Sequence, residues 1–184
     1  MSLTQAELNN IRANAEELHG PEAINTALDR MAQEITHRMQ ASMPVVLCVL
    51  TGGIIPTGHL LTRLSFPLEI DYLHATRYQG GTSGKEVRWI SEPGISLQGR
   101  TVLVVDDILD EGHTLADVIS YCKQAKAKEV FSAAFIQKQH DRCVPGVSAD
   151  FVGLEVDDKY VFGFGMDYLG YLRNLNGIYA LGDE

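Results

Sequence analysis

The sequence predicts an α/β fold: a Rossmann-like parallel sheet with helices on both faces, plus a small cap from the two chain ends. Three observations carry this. Apolar, β-branched runs alternate with helical patterns between residues 45 and 137, the signature of a parallel sheet covered on both sides. The alternation breaks at roughly 1–40 and 155–184, which are assigned to the cap, or hood, around a core of about 41–154. The chain has 184 residues, 45% of them hydrophobic, which suits a single domain with a substantial core.

The elements follow in order. Thr4 with Glu7 three residues on is a capping box that starts a helix over 4–18. Gly20-Pro21 separates it from a second helix over 21–40. Pro44 precedes a strand over 45–50, and the turn Thr51-Gly52-Gly53 opens a helix over about 56–64. A strand over 68–75 follows. The stretch 76–86, TRYQGGTSGKE, is polar and rich in Gly and Ser, and predicts a mobile loop with a return strand over 87–90. Trp89 is expected to pack near its base. A strand over 101–106, a helix over 114–127 and a strand over 129–137 come next, then shorter strands near 151–153 and 161–164.

Composition excludes several classes. Net charge is −9, with 15 Lys plus Arg against 24 Asp plus Glu, and no basic run suggests a nucleic-acid surface. No apolar run approaches the ~20 residues a membrane span needs, and the polar, helical N-terminus lacks a signal-peptide core. Cys48, Cys122 and Cys143 are odd in number and widely spaced, which predicts reduced thiols in a cytoplasmic protein, neither a disulfide framework nor a zinc site.

The chemistry concentrates in VLVVDDILDEGHTL, residues 102–115. Ligands of open α/β sheets bind beyond the carboxyl ends of the strands, and both Thr51-Gly52 and 106–114 sit at such ends. The amides of Glu111, Gly112, His113 and Thr114 open a helix and form a cradle for an anion, joined by the Thr114 hydroxyl. Gly112 allows the close backbone approach. Asp106 and Asp107 are acceptors suited to a pair of sugar hydroxyls and to Mg²⁺. Asp110 lies beside the cradle, where it can serve as a base. A phosphorylated ribose carrying a magnesium-bound diphosphate satisfies all these groups at once. As a purely structural turn, four acids would repel one another without a cation.

The same segment resembles the phosphoribosyl pyrophosphate motif of the type I phosphoribosyltransferases: two acids after a hydrophobic strand, then Asp-x-Gly-x-Thr. FIQK ending at Lys138, DKYVFGFGMDY over 158–168 and YLRNLNGIYAL over 171–181 are similar to the hypoxanthine-guanine branch. The resemblance covers most of 44–181. It implies that a purine ring nitrogen attacks C1 of the ribose while diphosphate leaves with Mg²⁺, giving IMP or GMP. It further implies Asp110 as general acid/base near N7, Lys138 as donor to the 6-oxo group, and Tyr160 stacked on the base with the Val161 backbone reading its edge. Asp167 would hold a second Mg²⁺ on the diphosphate, with Arg173 and the Leu50-Thr51-Gly52 turn on its oxygens, and Arg77-Tyr78 would sit in the closing loop. The implied metal ligands are therefore Asp106, Asp107 and Asp167, and the implied assembly is a homodimer or homotetramer.

Three positions depart from the family pattern. Asp106 stands where Glu is usual, Thr51 where Lys is common, and Arg77 where the closing loop usually carries Ser. The loss of a charge at Thr51 is expected to be compensated by Arg77.

Asp106-Asp107 also looks like the acidic pair of a response-regulator receiver, but that pair closes a first strand, and here about a hundred residues precede it. A regulator that keeps the fold and binds nucleic acid would need a basic stripe. A transferase for another base, such as xanthine or a pyrimidine, is the third alternative. Lys138 alone reads as an end-of-strand lysine and Tyr160 alone as core packing. His113 is expected to face solvent beside the phosphate, and His59, His74 and His140, without cluster partners, to be structural. Gly163 and Gly165 are expected to serve tight backbone packing.

Overall fold

The computed structural model describes residues 3–77 and 87–181. Its elements in chain order are α1 (Gln5–Asn14), β1 (Glu16–His19), α2 (Pro21–Met39), β2 (Val45–Leu50), α3 (Ile54–Leu61), β3 (Glu69–Arg77), β4 (Val87–Ser91), β5 (Thr101–Leu109), α4 (His113–Gln124), β6 (Glu129–Gln139), β7 (Phe151–Asp157), β8 (Val161–Phe162) and β9 (Ile178–Ala180).

The apolar runs form the middle of a six-stranded sheet in the order β4-β3-β2-β5-β6-β7. Every pairing is parallel except that of β3 with β4. Alternate side chains serve opposite faces. Val46, Leu103 and Phe135 pack with α2 and α3, while Leu47, Val104 and Ala134 pack with Leu115, Val118 and Cys122 of α4. Strands covered on both faces need apolar residues at every position, which is why VVLCVL and TVLVV are unbroken. From β2 the chain passes to β3 on one side and later to β5 on the other. The carboxyl ends of β2 and β5 therefore flank a topological switch point, where such sheets leave a crevice.

A second, antiparallel sheet, β1-β9-β8, forms the cap. Here the sequence reading needs correction. The helix expected over 4–18 stops at Asn14, and Glu16–His19 is a strand paired to β9. The capping box forms as expected, with Thr4 and Glu7 satisfying each other's backbone amides. However, α1 buries no residue, so little beyond its cap and helix propensity sustains it, and pairing with β9 takes over where the Asn14 side chain turns back to the Asn10 carbonyl at 2.9 Å. The second correction concerns α2, placed by sequence in the cap. Its buried stripe Ile24, Leu28, Met31 and Ile35 is continuous with the sheet core, so α2 is a core layer.

Glycines join cap to core. Gly163 and Gly165 have φ of 95° and 110°. A methyl group at Gly165 would overlap the Gly52 carbonyl, and one at Gly163 the Gly177 carbonyl. The tight-packing expectation for both is met.

Candidate active site

β5 runs three residues further than the sequence suggested, to Leu109, so Asp106 and Asp107 lie in the strand itself. They face a cleft of about 500 Å³ at the switch point. The Asp107 amide donates to Asp106 Oδ1 and the Ile108 amide to Asp107 Oδ1, both at 2.9 Å. Burial pushes the Asp106 carboxyl well above the ordinary carboxylate range, and the neighbouring Asp107 charge adds to it. Burial raises Asp107 as well, opposed by its hydrogen bonds and by Arg173. The turn after β2 reaches beneath this pair. The Leu50–Thr51 peptide is cis, and a methyl group at Gly52 would overlap the Asp107 carboxylate. Any larger residue there would have to displace that carboxylate.

Gly112, at φ 81°, is the N-cap of α4. The first intrahelical bond runs from the Ala116 amide to the Gly112 carbonyl, at 2.9 Å. The amides of His113, Thr114 and Leu115 thus precede the helical ladder and point outward from a positive helix end. Glu111, Gly112, Thr114 and Leu115 line the same cleft as the acid pair. An anion cradle and a carboxylate wall share one cavity.

Asp110 is held from both sides. Lys138 Nζ donates to its Oδ2 at 3.0 Å, and His140 Nε2 lies 2.7 Å from its Oδ1. Burial acts to raise the Asp110 carboxyl, but the two hydrogen bonds and charges of Lys138 and His140 prevail and hold it below its ordinary value. His140, expected to lack cluster partners, is therefore corrected: it touches Asp110 and clusters with Asp110 and Asp158. Its signal was the spacing Lys138-x-His140 at the end of β6, since residues two apart share a strand face.

The cap supplies the opposite wall. Arg173 donates to the Gly165 carbonyl at 2.6 Å, pairs with Asp167 at 2.7 Å and approaches Asp107 to 3.8 Å. Asp167 Oδ2 also accepts from the Gly170 amide at 2.7 Å, and the Tyr160 hydroxyl donates to the Asp167 carbonyl at 3.2 Å. Tyr160 is half-exposed, with Tyr168 edge-on at 5.7 Å.

Of the residues singled out by sequence, Gly52, Asp106, Asp107, Asp110, Glu111, Gly112, Thr114, Asp167 and Arg173 line the cleft. Thr51, His113, Lys138, Tyr160 and Val161 are not among its lining residues. Lys138 reaches it through Asp110 and Tyr160 through Asp167. Val161 is buried in the cap pairing with Ala180, and His113 lies 3.6 Å from Glu111. Tyr78, the Arg77 side chain and the loop over 78–86 lie outside the described residues.

Two sets of residues could hold a cation. Asp106 and Asp107 offer adjacent carboxylates whose ionisation burial opposes, a donor set that suits a hard divalent ion. Among the described residues, Asp110, His140 and Asp158 also cluster closely enough. Cations already fill that cluster, with Lys138 on Asp110 and Arg142 on both oxygens of Asp158 at 2.7 and 2.8 Å.

A doubly covered sheet whose switch-point cleft pairs an acidic strand end with a helix N-terminus is the class of α/β protein suited to a ligand that carries both a phosphate and hydroxyl or metal-bound groups. Residues 14–169 match the phosphoribosyl transferase domain family, and the chain belongs to that family. It is 32% identical over 155 residues to a hypoxanthine-guanine phosphoribosyltransferase of Bacillus subtilis, a match covering 84% of this chain and 86% of that protein. It is 36% identical over 155 residues to a bifunctional protein TilS/HprT of Listeria innocua, covering 84% of this chain but only 24% of that longer protein. A solved hypoxanthine phosphoribosyltransferase from Staphylococcus aureus has a TM-score of 0.87 at 27% identity, over 98% of this chain and 97% of that one. These relatives place the chain in the hypoxanthine-guanine branch.

Proposed function

We propose that this protein salvages purines by moving the 5-phosphoribosyl group from phosphoribosyl pyrophosphate to hypoxanthine or guanine, yielding IMP or GMP and diphosphate. The observation that carries the reading is the shared cavity: the anion cradle of Gly112–Thr114, the acid pair and Asp110 converge at one switch point. The cradle takes the 5-phosphate. Asp106 and Asp107 would take the ribose hydroxyls and hold one Mg²⁺, and Asp167, beside Arg173, would hold a second. Bound Mg²⁺ would offset the charge of the leaving diphosphate.

The base would lie between Asp110 and Tyr160, with Lys138 on its 6-oxo oxygen and Val161 at its edge. As N9 forms its bond to C1, the C1–O bond breaks, diphosphate leaves with the bonding pair, and the proton on N7 passes to Asp110. A cleft lined by five acids gives nothing to a nucleic-acid backbone, which disfavours the regulator reading.

We also assign the protein to the cytoplasm, supported by three free thiols and, among the described residues, no helix long and apolar enough to cross a membrane. A homo-oligomer is supported by Ile70 and Tyr72, half-exposed on one face of β3.

The test incubates the protein with phosphoribosyl pyrophosphate, Mg²⁺ and each base in turn, following nucleotide and diphosphate together. Hypoxanthine and guanine should react, and a chelator should abolish turnover until Mg²⁺ or Mn²⁺ is restored. Full activity in chelator would overturn the metal assignments, and no turnover with any base the reading as a whole.

A further inference from the structure

The mechanism above leaves His140 without a task, although its side chain is only 4% exposed and lies 2.7 Å from Asp110 Oδ1. Its other ring nitrogen settles the tautomer. The Arg142 amide donates to Nδ1 at 3.1 Å, so Nδ1 carries the lone pair and the proton of the neutral ring sits on Nε2, pointing at Asp110. Asp110 thus has two donors of different kinds. His140 is buried, planar and pinned at both nitrogens. Lys138 is a flexible stem with three donors, bonded to Oδ2 at 3.0 Å.

We infer that His140 is a positioning residue for proton transfer: its fixed Nε2–H anchors Asp110 Oδ1, so that Oδ2, shared with Lys138, is the oxygen that takes the proton of the incoming base. The inference rests on the transferase reading and deepens it. In the free protein both donors hold Asp110 below its ordinary value, which makes it a weak base. A 6-oxopurine draws a Lys138 donor toward its oxo oxygen. That removes a stabilising bond from Oδ2 and makes this oxygen more basic when the substrate proton must be accepted. His140 does not follow, so the carboxylate cannot rotate away as Lys138 moves. Base recognition and base activation are then coupled through one carboxylate.

Two substitutions separate this role from packing. In His140→Asn the amide oxygen replaces Nδ1 and keeps the Arg142 contact, but the side chain falls short of Asp110. In His140→Gln the longer amide reaches Asp110 and restores the donor. Losing a hydrogen bond to an ionised group costs about tenfold to a hundredfold in rate when it acts in the transition state. Asn should therefore lower kcat by about that factor with KM for phosphoribosyl pyrophosphate within about twofold, and Gln should recover most of the loss. Nitrogen-15 spectra of histidine-labelled wild type at pH 7.5 should show His140 as the Nε2–H tautomer. An Nδ1–H tautomer, equal kcat losses in both variants, or an unchanged kcat in Asn would each overturn the inference. Inactive wild type would overturn the transferase reading instead.

Discussion

Gly52→Ala is a small change that the structure makes large. The φ of Gly52 lies outside the left-handed region, so alanine meets no backbone strain there. The added methyl group instead overlaps the Asp107 carboxylate. That carboxylate cannot yield freely, because the Ile108 amide holds Oδ1 at 2.9 Å and Arg173 faces Oδ2 at 3.8 Å. Either Asp107 rotates, losing a charge-assisted hydrogen bond, or the turn after β2 withdraws from Gly165 of the cap. Overpacking of this kind costs roughly 1–3 kcal/mol, so a stability loss of about 2 kcal/mol is expected. At this chain length that lowers Tm by roughly 4–8 °C. Activity should fall further than stability, since displacing a reacting group by ~1 Å can cost about a hundredfold. A double-mutant cycle isolates the cause. In the Asp107→Ala background the carboxylate is gone, so Gly52→Ala should add almost nothing to the loss of Tm or of kcat/KM. Full additivity would show that the two residues do not collide, and the reasoning from their contact would fail.

Three further outcomes are expected. Asp110→Asn should lower kcat by roughly a hundredfold or more and leave KM for phosphoribosyl pyrophosphate nearly unchanged; near-normal turnover would remove Asp110 from proton transfer. Burial raises the folded pKa of Asp106, so its contribution to stability is full below the unfolded value of ~3.9 and is lost as pH rises through the raised folded value. Asp106→Asn should therefore raise Tm at pH 8 in chelator and change it less at pH 5; a lower Tm at pH 8 would contradict this. Lys138 is a donor only, which suits a 6-oxo acceptor and not the 6-amino group of adenine, so discrimination against adenine should reach ~10⁴. Lys138→Ala should lose hypoxanthine turnover chiefly; adenine accepted by the wild type would withdraw the assignment.

Strands buried on both faces announce themselves. The apolar run over 45–50 is the whole of β2, because nothing polar can enter such a strand without a partner. The strands of the cap were less visible. β8, expected near 161–164, is only two residues long, β9 is three residues long and too short for any periodicity, and β1 exists only because β9 lies beside it. The site divides in the same way. Asp106 to Thr114 is contiguous, so its chemistry could be read locally. Asp167 and Arg173 came only through family likeness, because Arg173, paired with Asp167, reaches Asp107 across the boundary from cap to core. His140 was missed since its partner lies thirty residues away in the chain, and a histidine shows its task only through what it touches.

The acidity of the cleft now has a physical account. Its described lining holds Asp106, Asp107, Asp110, Glu111 and Asp167 against a single cation, Arg173, which already serves Gly165 and Asp167. Phosphate sites usually lean on lysine, and here the turn after β2 offers Thr51 instead. At an effective dielectric near 20, two like charges ~4 Å apart repel by about 4 kcal/mol. Bare diphosphate would meet that repulsion from several carboxylates at once. The 5-phosphate avoids it, because its cradle is made of neutral amides at a helix end. The two ends of the proposed substrate are thus treated differently. One end would be held by dipoles that need no counter-ion, and the other by acids that would favour diphosphate already joined to a divalent ion. On the proposed reading this division suits a group that must leave: neutral amides would keep the phosphate bound through the reaction, while a hold that depends on an exchangeable cation would be released with the product.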